Sequence, residues 1–268
     1  MSRKYLIILL LVVASLTFIV ACGNDDANTT STTNDGDTAT LHAAFGEFDT
    51  DNVTIMLNGS NVEIESNGMP NHTSPYWSNT TTRTGTPAST TDHPLFVAPT
   101  VTSFQDMAPG NIDDFNGSYS LTVSANPTLA SSSSATGLGA IGIAISGGMI
   151  YNDKEGPNVP IDNALPSLDY TAAHTGPQSY HYHLETKAWS DDDENLIGII
   201  ADGFFIYGRK CNSTGTYPTD LDASGGHTST TQHTTDSEYH YHIQNELYLN
   251  AYYILFPGNY QGTANNIQ

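Results

Sequence analysis

Ile141-Gly142-Ile143-Ala144-Ile145-Ser146-Gly147-Gly148-Met149-Ile150-Tyr151 reads as two apolar arms around a small, flexible centre. The arms, Ile141 to Ile145 and Met149 to Tyr151, are rich in branched and bulky side chains that fit a pleated sheet. Ser-Gly-Gly between them supplies a turn, so the stretch predicts a β-hairpin. It recurs without a gap 56 residues later, as Ile197-Gly198-Ile199-Ile200-Ala201-Asp202-Gly203-Phe204-Phe205-Ile206-Tyr207, with six of eleven positions identical. There Leu196 to Ile200 and Phe204 to Tyr207 flank Asp202-Gly203, a second hairpin signal. Asp202 stands where the first copy has Ser146. Turn chemistry accounts for an Asp-Gly pair, and a functional departure between the copies is the other reading.

Two further matches follow in the same order. Leu168-Asp169 precedes His174 as Leu221-Asp222 precedes His227, at an offset of 53. Tyr180-His181-Tyr182-His183 matches Tyr239-His240-Tyr241-His242, at an offset of 59. Drifting offsets are what loop insertions produce, and three ordered matches make coincidence a poor account. Residues 141–185 and 197–244 therefore read as two copies of one hairpin-plus-histidine-strand unit. Two such copies in one chain are expected to pack about a pseudo-twofold axis, as identical subunits do. That packing is expected to bring both histidine strands to a shared centre.

Outside the copies, Val53 to Leu57 and Val62 to Glu65 flank Asn58-Gly59, another hairpin. Tyr119 to Val123 alternates like a half-buried strand, and Ala251 to Phe256 is a last apolar run. Residues 66–93 and 124–137, rich in Ser, Thr, Asn and Pro, are expected to be loops. Long helical periods are absent. The fold class is mostly β with few short helices, one domain over 41–268 built on a duplicated core at 138–244.

Histidine carries the chemistry. On a strand, residues two apart share a face, so His181 and His183 face one way and Tyr180 and Tyr182 the other. The same holds for His240 and His242. Two neutral imidazoles about 7 Å apart along a strand can lean to one cation, and His174 and His227 add one more each. His233 competes with His227, since it precedes His240 by seven residues as His174 precedes His181. The Leu-Asp context favours His227. One His-x-His is ordinarily a polar strand face. Two copies, each with an upstream partner, point to metal ligation by His174, His181, His183, His227, His240 and His242. Such donors suit copper first, then zinc, iron or nickel. Cys211, after the second hairpin, is a candidate ligand against its reading as a small buried hydrophobe. Asp191-Asp192-Asp193-Glu194 and Asp113-Asp114 offer oxygen donors for calcium, against their reading as solvated loops.

The chain has 268 residues and a formal net charge of −21, from 7 Lys and Arg against 28 acids. Such a surface repels nucleic acid. It begins with Arg3 and Lys4, an apolar run from Tyr5 to Val20, and Ala21-Cys22. That run, at roughly 16 residues, is shorter than the ~20 of a spanning helix. Residues 1–21 resemble a bacterial lipoprotein signal, which implies lipidation of Cys22 and anchoring to a membrane of the cell envelope, at the outer membrane or cell surface. Residues 22–40 then form a polar tether. Cys211 is left without a cysteine partner, so no internal disulfide is expected.

The tetrapeptides, with Ile143 to Tyr151, Ala201 to Gly208 and Gly226-His227, resemble the YHYH domain family over roughly residues 138–244. The family pattern carries cysteine shortly before its Gly-His step. Here those positions are Thr171 and Ser224, so a thiolate or disulfide role there is absent. The resemblance implies the domain and no particular activity. Three functions stand at this point: metal binding for acquisition, storage or delivery; a metalloenzyme, oxidase or hydrolase; and an adhesion or glycan-binding module. No phosphate loop, Gly-x-Ser-x-Gly elbow or His-Glu-x-x-His occurs to support other chemistry.

Overall fold

A computed structural model describes residues 39–74, 76, 117–176, 179–186 and 189–268. The expected signal, Cys22 and nearly all of the tether lie outside the described residues, as do Asp113 and Asp114. Among the described residues no helix is long and apolar enough to cross a membrane.

Strands β1 (Val53–Asn58) and β2 (Asn61–Ser66) form the first expected hairpin, with Asn58 paired to Asn61. Gly59 turns it at φ 61°, a conformation that costs glycine no Cβ clash. Strand β3 (Tyr119–Ser124) joins β2 antiparallel, and Val62, Ile64, Leu121 and Val123 form the buried face.

β4 (Ser134–Ala135) precedes the first of the two matched segments, which contributes β5 (Gly142–Ala144), β6 (Met149–Ile150), β7 (Lys154–Gly156), β8 (Val159–Pro160), β9 (Ala173–Thr175) and β10 (Tyr180–Tyr182). The second contributes β11 (Leu196–Ile200), β12 (Phe205–Tyr207), β13 (Gly226–Ser229) and β14 (Glu238–His242). Strands β15 (Leu247–Tyr248), β16 (Tyr252–Tyr253) and β17 (Asn259–Tyr260) follow. The described helical segments are 3-10 turns, such as Ile161–Asn163 and Leu165–Ser167.

Eight strands make one sheet in the order β13-β14-β12-β11-β5-β6-β10-β9. Inward from either edge the pairings are antiparallel, parallel, antiparallel, and the two halves meet antiparallel at β5 and β11. At that junction Ile143 pairs with Ile199, its own counterpart in the sequence alignment. The strands approach so closely there that a Cβ on Gly198 would lie 2.3 Å from the Ile143 carbonyl oxygen. β5, β6, β11 and β12 are buried throughout, so their sequences are continuous apolar runs rather than alternating ones. One core cluster joins this sheet to the three-stranded one through Ile64, Leu121, Ile143 and Ile199.

Two expectations change. Ala251 to Phe256 holds only the two-residue β16 and a bridge from Ile254 to Leu184, because its backbone turns to cap a second small core with Ile161, Leu165 and Tyr252. Within the expected loop at 124–137, β4 pairs with β17.

Candidate metal centres

The tyrosines of each Tyr-His-Tyr-His explain the alternation. Tyr180 donates to Asp169 at 2.7 Å and Tyr239 to Asp222 at 2.7 Å. Tyr241 donates to Asp202 at 2.6 Å, and Tyr182 shares a 2.9 Å bond with Ser146. Asp202 and Ser146 thus do the same work, tying the inner tyrosine to the hairpin turn. The aspartates of the Leu-Asp pairs also accept backbone N–H groups, from Thr171 and Ser224 at 2.8 Å each. One face of β10 and of β14 is thereby locked into the interior, which sets the direction of the other.

On that other face the imidazoles gather in two places. His174 lies opposite His181 across β9–β10, and His227 opposite His240 across β13–β14. His227, not His233, therefore holds the place of His174. His233 instead contacts Tyr207 at 3.0 Å and Glu47 at 2.6 Å. His174, His181 and His183 form one group with Glu155, and His227, His240 and His242 another with Cys211, each with donor atoms within 4.8 Å of one another. The expected single shared centre is not formed. The sheet order places β10 and β14 five strand steps apart, about 24 Å at roughly 4.8 Å per step. The counterparts meet at β5–β11 in the middle of the sheet, which sends the histidine strands outward to opposite edges.

Each ring is oriented by its Nδ1. His181 donates to the Ser179 carbonyl at 2.9 Å and His183 to that of Asn152 at 2.7 Å. His240 donates to Glu238 at 3.0 Å and His242 to Gly208 at 2.7 Å. Carbonyls only accept, so these Nδ1 atoms carry the proton and each Nε2 keeps a lone pair. His227 Nδ1 meets the Asp220 carboxylate at 2.9 Å. His174 Nδ1 meets Ser167 Oγ at 2.8 Å, and that hydroxyl already donates to Ala164, so it accepts here. Oxygen acceptors behind ligand imidazoles are the usual outer shell of a metal site.

The Nε2 atoms converge on one another and on the fourth donors. His240 Nε2 and His242 Nε2 lie 3.1 Å apart. Glu155 Oε1 lies 3.3 Å from His174 Nε2 and 3.1 Å from His183 Nε2, yet neither buried nitrogen has a hydrogen bond. Cys211 Sγ is 3.5 Å from His227 Nε2. A tetrahedral ion with bonds of about 2.0–2.1 Å to N or O and 2.3 Å to S spaces its ligands about 3.3 Å apart, or about 3.6 Å for S to N. The observed spacings fit those edges.

Electrostatics prepare the donors as ligands. Burial, then His174 and His183 nearby, lower the His181 pKa well below its ordinary value. Burial and the proximity of His242 bring His240 down to about 4. These rings stay neutral near pH 7, as ligation requires. For Cys211 burial works upward, and contacts from Ser213, Ser229 and His227 overcome it, favouring thiolate.

Glu155 is the donor that sequence comparison passed over. Carrying the gapless 56-residue offset four positions past Tyr151 pairs Lys154 with Lys210 and Glu155 with Cys211. The acidic run after the first unit is engaged in part by neighbouring side chains. Asp192 is held by Arg209 and Lys210 at 3.3 Å each, and Asp193 accepts from Ser190 at 3.1 Å. Among the described residues the groups able to hold a metal are the two histidine clusters.

Fold and site together define a β protein with a three-imidazole cluster at each edge of one sheet. The family model described as YHYH protein matches residues 120–219, and this stretch is a YHYH-family segment. No curated protein and no solved structure matches the chain.

Proposed function

We propose that the chain is a cell-envelope lipoprotein that binds two transition-metal ions, one in each unit, for acquisition, storage or delivery. The signal anatomy, Cys22 and the polar tether support the anchored location. Two copies of one unit about a local two-fold axis belong to this reading. The mirrored strand order and the Ile143–Ile199 pair support them.

One observation carries the metal reading. His240 and His242 point Nε2 at Nε2 across 3.1 Å while both Nδ1 protons are committed to carbonyls. Two lone pairs face one another inside a buried pocket, and a cation between them removes the repulsion. Copper and zinc suit these donors, with copper favoured by the general affinity order. Imidazoles gathered in two clusters favour metal binding over the adhesion reading. Catalysis is a second reading, favoured by the cleft beside Glu155.

Elemental analysis of the purified full chain tests this. We expect two ions per chain, one in His181→Ala, one in His240→Ala and neither in the double variant. Unchanged metal in the double variant, with circular dichroism intact, removes these positions from any site.

A further inference from the structure

The two clusters differ in their access. A cleft of about 350 Å³ reaches all four donors of the first, with Leu138, Tyr151, Lys154 and Gly176 on its walls. Against His240 and His242 the corresponding space holds no water-sized group. The fourth donors differ likewise. Glu155 sits on the short β7–β8 hairpin with 24% of its side chain exposed. Cys211 is 1% exposed, with its backbone paired to Thr216 and its sulfur against Ser213 and Ser229. Closed four-ligand sites hold metal for structure or storage, and a site opening onto a cleft exchanges ligands.

The walls indicate what enters. A divalent ion with one carboxylate leaves a charge of +1 at the cleft floor, and Lys154 adds another at its rim. Lys210, the counterpart of Lys154, is held 3.3 Å from Asp192, whereas Lys154 has no ion pair among the described residues. Tyr151 stacks on His181 at 3.7 Å and 16°, presenting an aromatic wall, and Leu138, 53% exposed, adds an apolar one. In a chain of net charge −21 this is a local site for an anion with an apolar body.

Resting on the metal reading above, we infer that the first cluster is an open centre whose ion takes a small organic carboxylate from this cleft, while the second is closed. The carboxylate adds to the ion's coordination or displaces the exposed Glu155, and Lys154 and Tyr151 hold its other parts.

Cobalt(II) loaded into the full chain, with benzoate as probe, tests the inference. Cobalt d–d bands report coordination at both sites, and the thiolate-to-cobalt band in the near ultraviolet reports the second alone. In the wild type, benzoate should change the d–d bands saturably and leave the thiolate band unmoved. Cys211→Ala/His240→Ala should keep the full response, and His174→Ala/His181→Ala should lose it. Lys154→Ala should weaken benzoate about fivefold without loss of cobalt, the size expected of one exposed charge near the ligand. Cobalt bound with bands indifferent to benzoate overturns the inference and leaves the metal reading standing, as does a response carried by the thiolate band. Failure of the wild type to bind cobalt overturns both.

Discussion

At the scale of single residues, the protein's acid response follows from its buried imidazoles. His174, His181, His240 and His242 all have pKa values lowered by burial, His240 to about 4. An unfolded imidazole titrates near 6.5. Between pH 6.5 and 4 the unfolded chain therefore binds protons that the folded chain refuses. Stability rises with pH across that window and is lost on acidification, by on the order of 3 kcal/mol for His240 at the acid end. With metal chelated, the urea midpoint should fall steadily from pH 7 to pH 5, before most carboxylates titrate. Removing two such rings in His181→Ala/His240→Ala should flatten the slope. An unchanged slope in that variant would show that the acid sensitivity lies elsewhere. The six histidines were legible in sequence because each recurs with its context. Glu155 was not, because a carboxylate and a thiol in matched places share no identity for comparison to find.

At the scale of elements, the Tyr-His alternation was legible because a strand has period two, and both its consequences hold. The tyrosine face turns to the interior: Tyr180, Tyr182 and Tyr241 are fully buried. What pattern alone does not reveal is the partner each hydroxyl finds, since that depends on which hairpin lies beside the strand. β12 runs parallel to β14, which places the Asp202 turn under Tyr241. β6 does the same for β10 and places Ser146 under Tyr182. The two turns differ in what a lost hydroxyl leaves behind. Asp202 also accepts backbone N–H groups from Gln261 and Gly262, so Tyr241→Phe strips one of several bonds from a buried carboxylate. Tyr182 shares its oxygen with His72 at 2.7 Å, and Ser146 is neutral. Tyr241→Phe should therefore lower unfolding free energy by about 1–3 kcal/mol, and Tyr182→Phe by less, as bonds to charged groups count for more. Denaturant unfolding of both variants decides it; equal losses would mean that the Asp202 charge adds nothing to the bond. The short strands β9 and β13 carried no such period, being too brief to alternate, and only their pairing with β10 and β14 reveals them.

At the scale of the whole molecule, repetition was legible but its consequence was not. Self-similarity predicts two related segments and is silent on which edges they join. Joining through β5 and β11 puts the apolar hairpins at the centre, where continuous burial suits them, and the mixed Tyr-His strands at the periphery. Two centres about 24 Å apart on one sheet share no ligand and no partner. Contributions from sites so far apart should add, within a few tenths of a kcal/mol. Each centre also bridges elements distant in sequence. A bound ion would tie Glu155 on β7 to β9 and β10, and Cys211, beyond β12, to β13 and β14. Loss of metal should therefore loosen both edges while leaving the β5–β11 junction intact. Binding to the folded state alone stabilises it by about 2.7 kcal/mol when free metal is a hundredfold above Kd. A chelator should then lower the Tm of the loaded chain, with His181→Ala and His240→Ala each showing a smaller chelator-induced drop than the wild type. Those two smaller drops should sum to the wild-type drop. Hydrogen exchange gives the map behind the number: protection lost on chelation should concentrate at β9–β10 in the form whose second site is disabled, and at β13–β14 in the form whose first is disabled. A wild-type drop much larger than the sum would mean that the two edges communicate through the central strands, and the picture of independent centres would fall.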